Sequence, residues 1–386
     1  MPEAVIVATT RTPMGRSYKG SLIDERPEDL LAAALGDVVA KVPALDLVEI
    51  DDVLVGCAFP EQRQGMNVAR RAALLAGFPV TVPGTTVTRF CASSLQTIRM
   101  AFHAIRAGEG SCFVAGGVES ITQVNGYPRT DDEFHPRLQA DDPVAGVYLS
   151  MGLTAENVAN RWDVSRTEMD EFAQRSQERA VTAQLDGFFD REITPYGRAN
   201  GEPADTDDGP RPESSLERLA ELKPAFVEDG KVTAGNACPF SDGAAAVLVM
   251  SEERASELGV APRARIVASA VAAVEPEIMG VGPIEAVREV LQRARMTIED
   301  IDVFEVNEAF AAQVLPVCRE VGIDPFDTRV NPHGGAIALG HPYGMTGARI
   351  MGTLLNGLES VDGTIGLETM CVAGGQGMAM IVERVG

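Results

Sequence analysis

Cysteine and histidine are scarce in this chain, and both are scattered. Six cysteines stand at positions 57, 91, 112, 238, 318 and 371 of 386 residues. No two of them have the C-x-x-C spacing, and so low a density excludes a disulfide-stapled scaffold. The four histidines are equally dispersed, which leaves no zinc-ligand pattern. Positive charge is also in deficit. Thirty-three Lys and Arg against 56 Asp and Glu give a net charge of −23. Such a balance argues against nucleic acid or an anionic membrane surface as a partner, and an anionic ligand would need a local basic patch. No apolar run approaches the ~20 residues of a membrane span. The start of the chain reads as a first strand, AVIVATT, not as a charged segment leading into an apolar one, so no signal peptide is expected. These absences predict a cytoplasmic globular protein that binds no metal.

What is present is a rhythm of short apolar strands and amphipathic helices. Val5–Thr9, Asp52–Ala58, Ser111–Val118 and Asp242–Met250 read as strands buried on both faces. Pro27–Val42 and Asn67–Ala76 have helical spacing, and strands alternating with helices predict a parallel sheet covered on both sides. Between Glu119 and Gly235 the composition turns to Asp, Glu, Pro and Gly. That segment holds one long helical patch, Thr154–Leu185, with Ser165-Arg-Thr-Glu168 as a capping box and Gly187 as its stop. It reads as an insertion. The C-terminal part then repeats the first. Arg265–Ala270 resembles the opening strand, and Ile301–Ala309 matches Ile50–Ala58. Glu285–Arg295 is a helix, Gly363–Cys371 matches the strand before Gly116-Gly117, and Gly377–Glu383 pairs with the Asp242–Met250 strand. A duplication of about 120 residues accounts for this. The expected domains are 1–118 plus 236–264, an inserted 119–235, and 265–386.

Chemistry concentrates where the two halves correspond. In TVTRFCASSLQTIRMAFHAIRAG (86–108) a β-rich run turns through small residues into a helix. Leu95, Ile98, Phe102 and Ile105 draw its apolar face, and Gln96, Arg99, His103 and Arg106 its polar one. Cys91 falls at the strand–helix corner. Unpaired N–H groups and the positive end of a helix dipole there favour a thiolate, lowering a pKa that is ~8.5 in a free cysteine. At the matching place the second half carries Gly340-His341-Pro342-Tyr343-Gly344, and after the next strand Cys371-Val-Ala-Gly-Gly-Gln-Gly377. A histidine beside two cysteines supplies a base for a nucleophilic thiol, and glycines free backbone N–H groups to point at a ligand. Two similar βα units facing each other would set these loops around one cleft.

NEAFAAQ (307–313), NPHGGAIALGHPYGMTGA (331–348) and CVAGGQGMAM (371–380), together with the Cys91 corner, resemble the thiolases, the acetyl-CoA C-acyltransferases. The resemblance spans the chain, including Ser150–Asn157 and Thr233–Asn236. It implies a five-layer αβαβα sandwich of two similar halves with a loop domain over the site. The implied activity is reversible thiolytic cleavage of 3-ketoacyl-CoA, or the reverse Claisen condensation, by a ping-pong acyl-cysteine route. Carried over residue by residue, Cys91 resembles the acylated nucleophile and His341 its base. Cys371 resembles the second cysteine that moves the α-proton of acetyl-CoA. Asn307 resembles the asparagine that holds a water in one oxyanion hole with His341. The backbone N–H groups of Cys91 and Ala373 correspond to a second hole, where the family usually has glycine in place of Ala373. Substrate or CoA contacts are implied for Met151, Arg211, Phe226, Cys238 and Phe310, with Arg218 and Lys223 as further candidates for the CoA phosphates. Coenzyme A enters as a substrate and no cofactor stays bound. The family's members are homodimers or homotetramers.

Other readings stand beside these. Cys57, Cys112 and Cys318 are core residues by position, and His103 is a surface or subunit-contact residue. His333 lies beside a glycine pair, either supporting the site or shaping a turn; His135 receives no role. A ketoacyl-synthase-like condensing enzyme shares the cysteine corner and the glycine-histidine motif, but has a second histidine where this chain has Asn307. A non-catalytic acyl-CoA-binding subunit is the third possibility, and the Cys91, His341, Cys371 and Asn307 set speaks against it.

Overall fold

The computed structural model describes residues 2–124, 133–138 and 145–385. Along β1 (Ala4–Arg11) the side chains of Ala4 and Ile6 enter one core, and those of Val5 and Val7 enter another. Successive strand residues point to opposite faces, so the unbroken apolar run from Ala4 to Ala8 must have partners on both. The first half continues with β2 (Asp52–Gly56), β3 (Gly84–Val87), β4 (Cys112–Ser120) and β5 (Ser241–Ser251). The second consists of β6 (Ala264–Ala273), β7 (Val303–Val306), β8 (Ile365–Val372) and β9 (Gln376–Arg384).

Their order is β7-β8-β9-β6-β1-β5-β4-β2-β3, with Gly15–Arg16 pairing onto the start of β5. Both halves repeat one scheme. β2 runs parallel to β4 as β7 does to β8, and β5 is antiparallel to β4 and β1 as β9 is to β8 and β6. The duplication read from the sequence is therefore present in the ladder pattern. The two halves join through a short contact in which Val5 faces Arg265 and Ile6 faces Ala264.

Helices α1 (Pro27–Ala40) and α2 (Val68–Leu75) cover the outer face of the first half, and α3 (Ser93–Ala107) lies on its inner face. Between β4 and β5 the chain forms α4 (Met151–Arg161) and α5 (Arg166–Leu185). The second half adds α6 (Gly282–Ala294), α7 (Ala311–Val321) and α8 (Thr346–Val361). Three apolar cores separate five layers. One core packs α1 and α2 on the first half, the second packs α3 and α8 between the halves, and the third packs α6 and α7 on the second half. Every residue of α8 from Thr346 to Leu358 is buried, as expected of a helix enclosed on all sides. Burying Ile350, Leu354, Leu355 and Leu358 contributes about 1.5–3 kcal/mol each. The five-layer αβαβα architecture expected from the resemblance is what forms.

The single helical patch expected over Thr154–Leu185 is in fact two helices. Asp163 takes φ +50°, in the left-handed region, which ends α4. Ser165 then caps α5, its side chain accepting from the Glu168 N–H while Glu168 reaches back to the Ser165 N–H. The capping box read from the sequence is the reason for the break.

Candidate active site

The two helices of the inner layer begin at the same place. Ser94 Oγ near the start of α3 accepts from the N–H of Ala348 near the start of α8, at 2.9 Å. Two positive dipole ends therefore meet at the end of the sheet. Glycines allow the approach. A Cβ at Gly117 would collide with the Gly344 carbonyl, one at Gly344 with the Val118 carbonyl, and one at Gly56 with the start of α3.

Cys91 sits in a one-turn 3₁₀ segment, Phe90–Ala92, that leads into α3, and it is 8% exposed. Phe90 before it has φ +43°, a strained backbone for an aromatic residue. A clasp holds the turn: Ser93 Oγ accepts from Arg89 N–H at 2.9 Å and donates to the Phe90 carbonyl at 2.6 Å. The expectation of a thiolate at rest is not met. Burial pushes the Cys91 thiol well above its ordinary value, and the fields of Cys371 and Cys238 push the same way; the backbone N–H at the turn opposes them and loses. Three thiols thus lie within each other's field, two of them brought from far along the chain.

His341 is 1% exposed. Thr346 Oγ1 donates to the Pro342 carbonyl at 2.8 Å and lies 2.6 Å from His341 Nδ1. Its one proton is committed, so Nδ1–H donates to Thr346 and the lone pair is left on Nε2. Asn307 Nδ2 lies 3.3 Å from that nitrogen, while its own Oδ1 is buried without a partner among the described residues. Burial, with help from the Arg349 charge, lowers the imidazole to a pKa of about 3. The resting pair is accordingly a thiol and a neutral imidazole whose Nε2 lone pair faces the Asn307 amide. Nothing local in the sequence marks Thr346, the first residue of α8, which meets His341 across the turn that leads into that helix.

Cys371 lies near the end of β8, 3% exposed, with its Sγ donating to Gln313 Oε1 at 3.6 Å. Burial raises it to about 12. Cys238 is partly exposed and bonded through its N–H to the Ala309 carbonyl at 3.0 Å; burial first, then the Cys371 sulfur, raises its thiol. Ala373 opens the turn between β8 and β9, where Gly374 and Gly375 take φ of +82° and +83°.

Glu119 was not expected to take part. Fully buried at the end of β4, it accepts from the N–H groups of Ala58 (2.8 Å) and Gly344 (2.9 Å) and from Gln64 Nε2 (2.6 Å). It ties the His341–Gly344 loop of the second half to the first. Burial raises it to about 7 although its hydrogen bonds oppose the shift.

The structure gathers most of the remaining candidates beside the thiols. The rings of Phe226 and Phe310 meet edge to face at 6.0 Å, the chain around Phe310 bridges to Ala237 next to Cys238, and a Cβ at Gly152 would strike Phe226, which sets Met151 against the same patch. Arg211 follows Gly209, which packs on the Ala338 carbonyl just before the His341 loop, and it feels the charge of Arg16. Arg218 bonds to the Glu213 carbonyl and Lys223 is exposed. His333 stacks on Phe188 with the ring centroids 3.5 Å apart. His103 is exposed, and Cys57, Cys112 and Cys318 are in the core. Among the described residues no group of His, Cys, Asp and Glu could hold a metal ion.

Comparison with known proteins agrees with this geometry. Residues 4–253 match the family model described as thiolase, N-terminal domain, and residues 260–384 that described as thiolase, C-terminal domain. The chain is 47% identical over 391 residues to a 3-ketoacyl-CoA thiolase of Aeromonas hydrophila, and 44% over 406 residues to a beta-ketoadipyl-CoA thiolase of Acinetobacter baylyi; both alignments cover all of each chain. The crystal structure of the Bacillus anthracis acetyl-CoA acetyltransferase superposes with a TM-score of 0.91 at 39% identity, covering 100% of this chain and 99% of that one. With both family domains in order over nearly its whole length, the chain belongs to the thiolase family.

Proposed function

We propose that the chain is a thiolase that cleaves 3-ketoacyl-CoA with CoA to acyl-CoA and acetyl-CoA, and runs the reverse condensation, through an acyl group on Cys91. The observation that carries this is the neutral thiol–imidazole arrangement: a buried sulfur, a base whose lone pair is fixed on Nε2, and a second buried thiol within its field. As the Cys91 sulfur attacks the 3-keto carbonyl, His341 Nε2 takes its proton. Collapse breaks the bond between C2 and C3, and Cys371 protonates the departing enolate. The proton on His341 returns to the Cys371 sulfur. Incoming CoA gives its thiol proton to His341 and attacks the acyl group, and Cys91 leaves and recovers that proton. Oxyanions form at both stages. Asn307 with His341 serves one and the backbone N–H groups of Cys91 and Ala373 the other, each donor contributing roughly 2.7–4 kcal/mol. Burial keeps the enolate from water.

Met151, Phe226, Phe310 and Cys238 form the wall that receives the acyl chain and the thioester arm, and Arg211 with Arg16 takes the CoA phosphates. Coenzyme A comes and goes as a substrate, with no resident cofactor. The sheet ends at β3 with an open edge beside exposed Met66, Leu74, Leu75 and Val80. Such an edge calls for a partner strand, which supports pairing with a second copy as a homodimer or as half of a homotetramer. The domains are the two halves, 1–118 with 236–264 and 265–386, and the insertion 119–235. Six free thiols suit a reducing compartment, the cytoplasm.

The test is intact-mass spectrometry after mixing with acetyl-CoA, followed by thiolysis rates on 3-ketoacyl-CoA of graded chain length and on 3-oxoadipyl-CoA. One acetyl group on Cys91, absent from Cys91→Ala, is expected together with CoA-dependent cleavage. An acyl group on Cys238 or Cys371, or turnover of malonyl thioesters only, would overturn the assignment.

A further inference from the structure

The two N–H groups proposed above to hold the thioester oxygen, those of Cys91 and Ala373, come from two turns in opposite halves of the chain. One is the Phe90–Ala92 turn after β3, at one end of the sheet. The other is the Ala373–Gly375 turn closing the β8–β9 hairpin, near the opposite end. No ladder connects them. The second turns on Gly374 and Gly375 at positive φ, which glycine adopts without strain, but the first carries a non-glycine residue there, Phe90 at φ +43°. Backbone in such regions keeps its geometry only where surrounding contacts over-determine it.

Among the described residues one hydrogen bond crosses from turn to turn. Arg89 Nη1 donates to Gln376 Oε1 at 2.7 Å, across 287 residues of sequence. Both ends are anchored. Arg89 Nε donates to Gln96 Oε1 on the first turns of α3 at 3.0 Å, and the Arg89 N–H belongs to the Ser93 clasp that closes the Phe90–Ala92 turn. Gln376 is the first residue of β9, paired with Val372 and with Ala273, and its carbonyl fills the space where Gly282 lacks a Cβ. The guanidinium is half-buried, burial lowers its pKa, and no carboxylate lies within ion-pair distance among the described residues. An arginine held by two amide carbonyls and no acid is a poor stability device. Its planar fork is, however, well suited to fixing two acceptors at a set angle.

We propose that Arg89 is a positioning residue for acyl transfer: through Gln376 it sets the distance between the nucleophile turn and the Ala373 turn, so that both backbone N–H groups converge on one thioester oxygen. This rests on the acyl-Cys91 reading above. The donors must meet the oxygen as charge develops, and a displacement of about 1 Å costs on the order of 100-fold in rate. In the proposed reading the substrate is gripped by Met151, Phe226, Phe310, Cys238 and Arg211, so ground-state binding is left largely intact.

The experiment compares single-turnover acylation by acetyl-CoA, and kcat and KM for thiolysis, in wild type, Arg89→Ala, Arg89→Lys, Gln376→Ala, Gln376→Glu and the Arg89→Ala/Gln376→Ala double variant, with Tm for each. Each alanine variant is expected to slow acylation about 10- to 100-fold with KM within threefold, and the double variant to be no slower than the slower single one. Gln376→Glu keeps an acceptor for Arg89 and is expected to recover most of the rate that Gln376→Ala loses. Arg89→Lys reaches one acceptor and should fall between. If Arg89→Ala does not fold, Gln376→Ala and Gln376→Glu decide the matter. Multiplying losses in the double variant, a change confined to KM, or wild-type acylation in Gln376→Ala would refute the positioning role. A wild-type protein that forms no acyl-Cys91 at all would instead refute the activity on which the role depends.

Discussion

Thr346→Val is the substitution that most directly probes the base. Valine matches threonine in shape, so the packing of the first turn of α8 is kept. Two buried groups lose their partner: His341 Nδ1–H, now bonded at 2.6 Å, and the Pro342 carbonyl, which accepts at 2.8 Å. A buried polar group left without a partner costs about 1–3 kcal/mol. For the histidine that cost falls on one tautomer. With no acceptor at Nδ1, the proton is as well placed on Nε2, where it blocks the lone pair proposed to take the Cys91 proton. If the whole penalty appears in the transition state, acylation slows about 5- to 150-fold. The assay is single-turnover acetylation from acetyl-CoA followed by intact mass, with KM measured in steady state. Thr346→Ser should restore most of the rate, since it returns the hydroxyl without the methyl. Wild-type acylation in Thr346→Val would refute the tautomer argument. So would a Thr346→Ser variant as slow as Thr346→Val, because the methyl group would then be the part that matters.

Three further outcomes are expected. Cys371→Ala should still be acetylated on Cys91 by acetyl-CoA but form no acetoacetyl-CoA; condensation at a normal rate would remove Cys371 from the proton path. Glu368, fully buried with neither carboxyl oxygen partnered among the described residues, lies opposite Glu305 on the adjacent parallel strand. Glu368→Leu should raise the stability measured by chemical denaturation by about 1–3 kcal/mol; a loss would mean that Arg349 draws on this carboxylate. Burial raises Glu119 from 4.5 to about 7 and Glu305 from 4.5 to about 8. Groups raised in the folded state lend stability that is complete below pH 4.5 and is lost as the pH climbs through 7 and 8. His341, lowered from 6.5 to about 3, acts in the opposite sense, lending stability above 6.5 that fades toward 3. The Tm should therefore fall from pH 6 to pH 8.5, and less steeply in Glu119→Gln; a flat profile would show that these carboxyls are ionised throughout.

The parts of the fold that the sequence disclosed are those written in local pattern. The unbroken apolar runs within Val5–Thr9 and Asp242–Met250 declared burial on both faces, and the likeness of Ile301–Ala309 to Ile50–Ala58 declared the duplication that the two ladders reproduce. Cys91, His341, Asn307 and Cys371 were legible through their motifs. Thr346, Glu119, Gln313 and Arg89 were not. Glu119 binds Gly344 across 225 residues and Cys371 meets Gln313 across 58, and no periodicity encodes such pairs. The Cys91 thiol shows a different limit. Its local context, a helix N-terminus, points to a low pKa, but burial between two halves dominates, and burial is a property of the assembled chain.

The join between β1 and β6 has a consequence for how activity is lost. Only two residue pairs stitch the two halves of the sheet there, while Cys91 and Glu119 come from one half and His341 and Cys371 from the other. With so short a ladder there, the halves are held by the central core of α3 and α8, and mild denaturant or heat that loosens this layer would let the outer cores keep α1, α2, α6 and α7 and much of the circular-dichroism signal while the reacting atoms drift apart. Turnover is then the first property to go, well ahead of the cooperative melt.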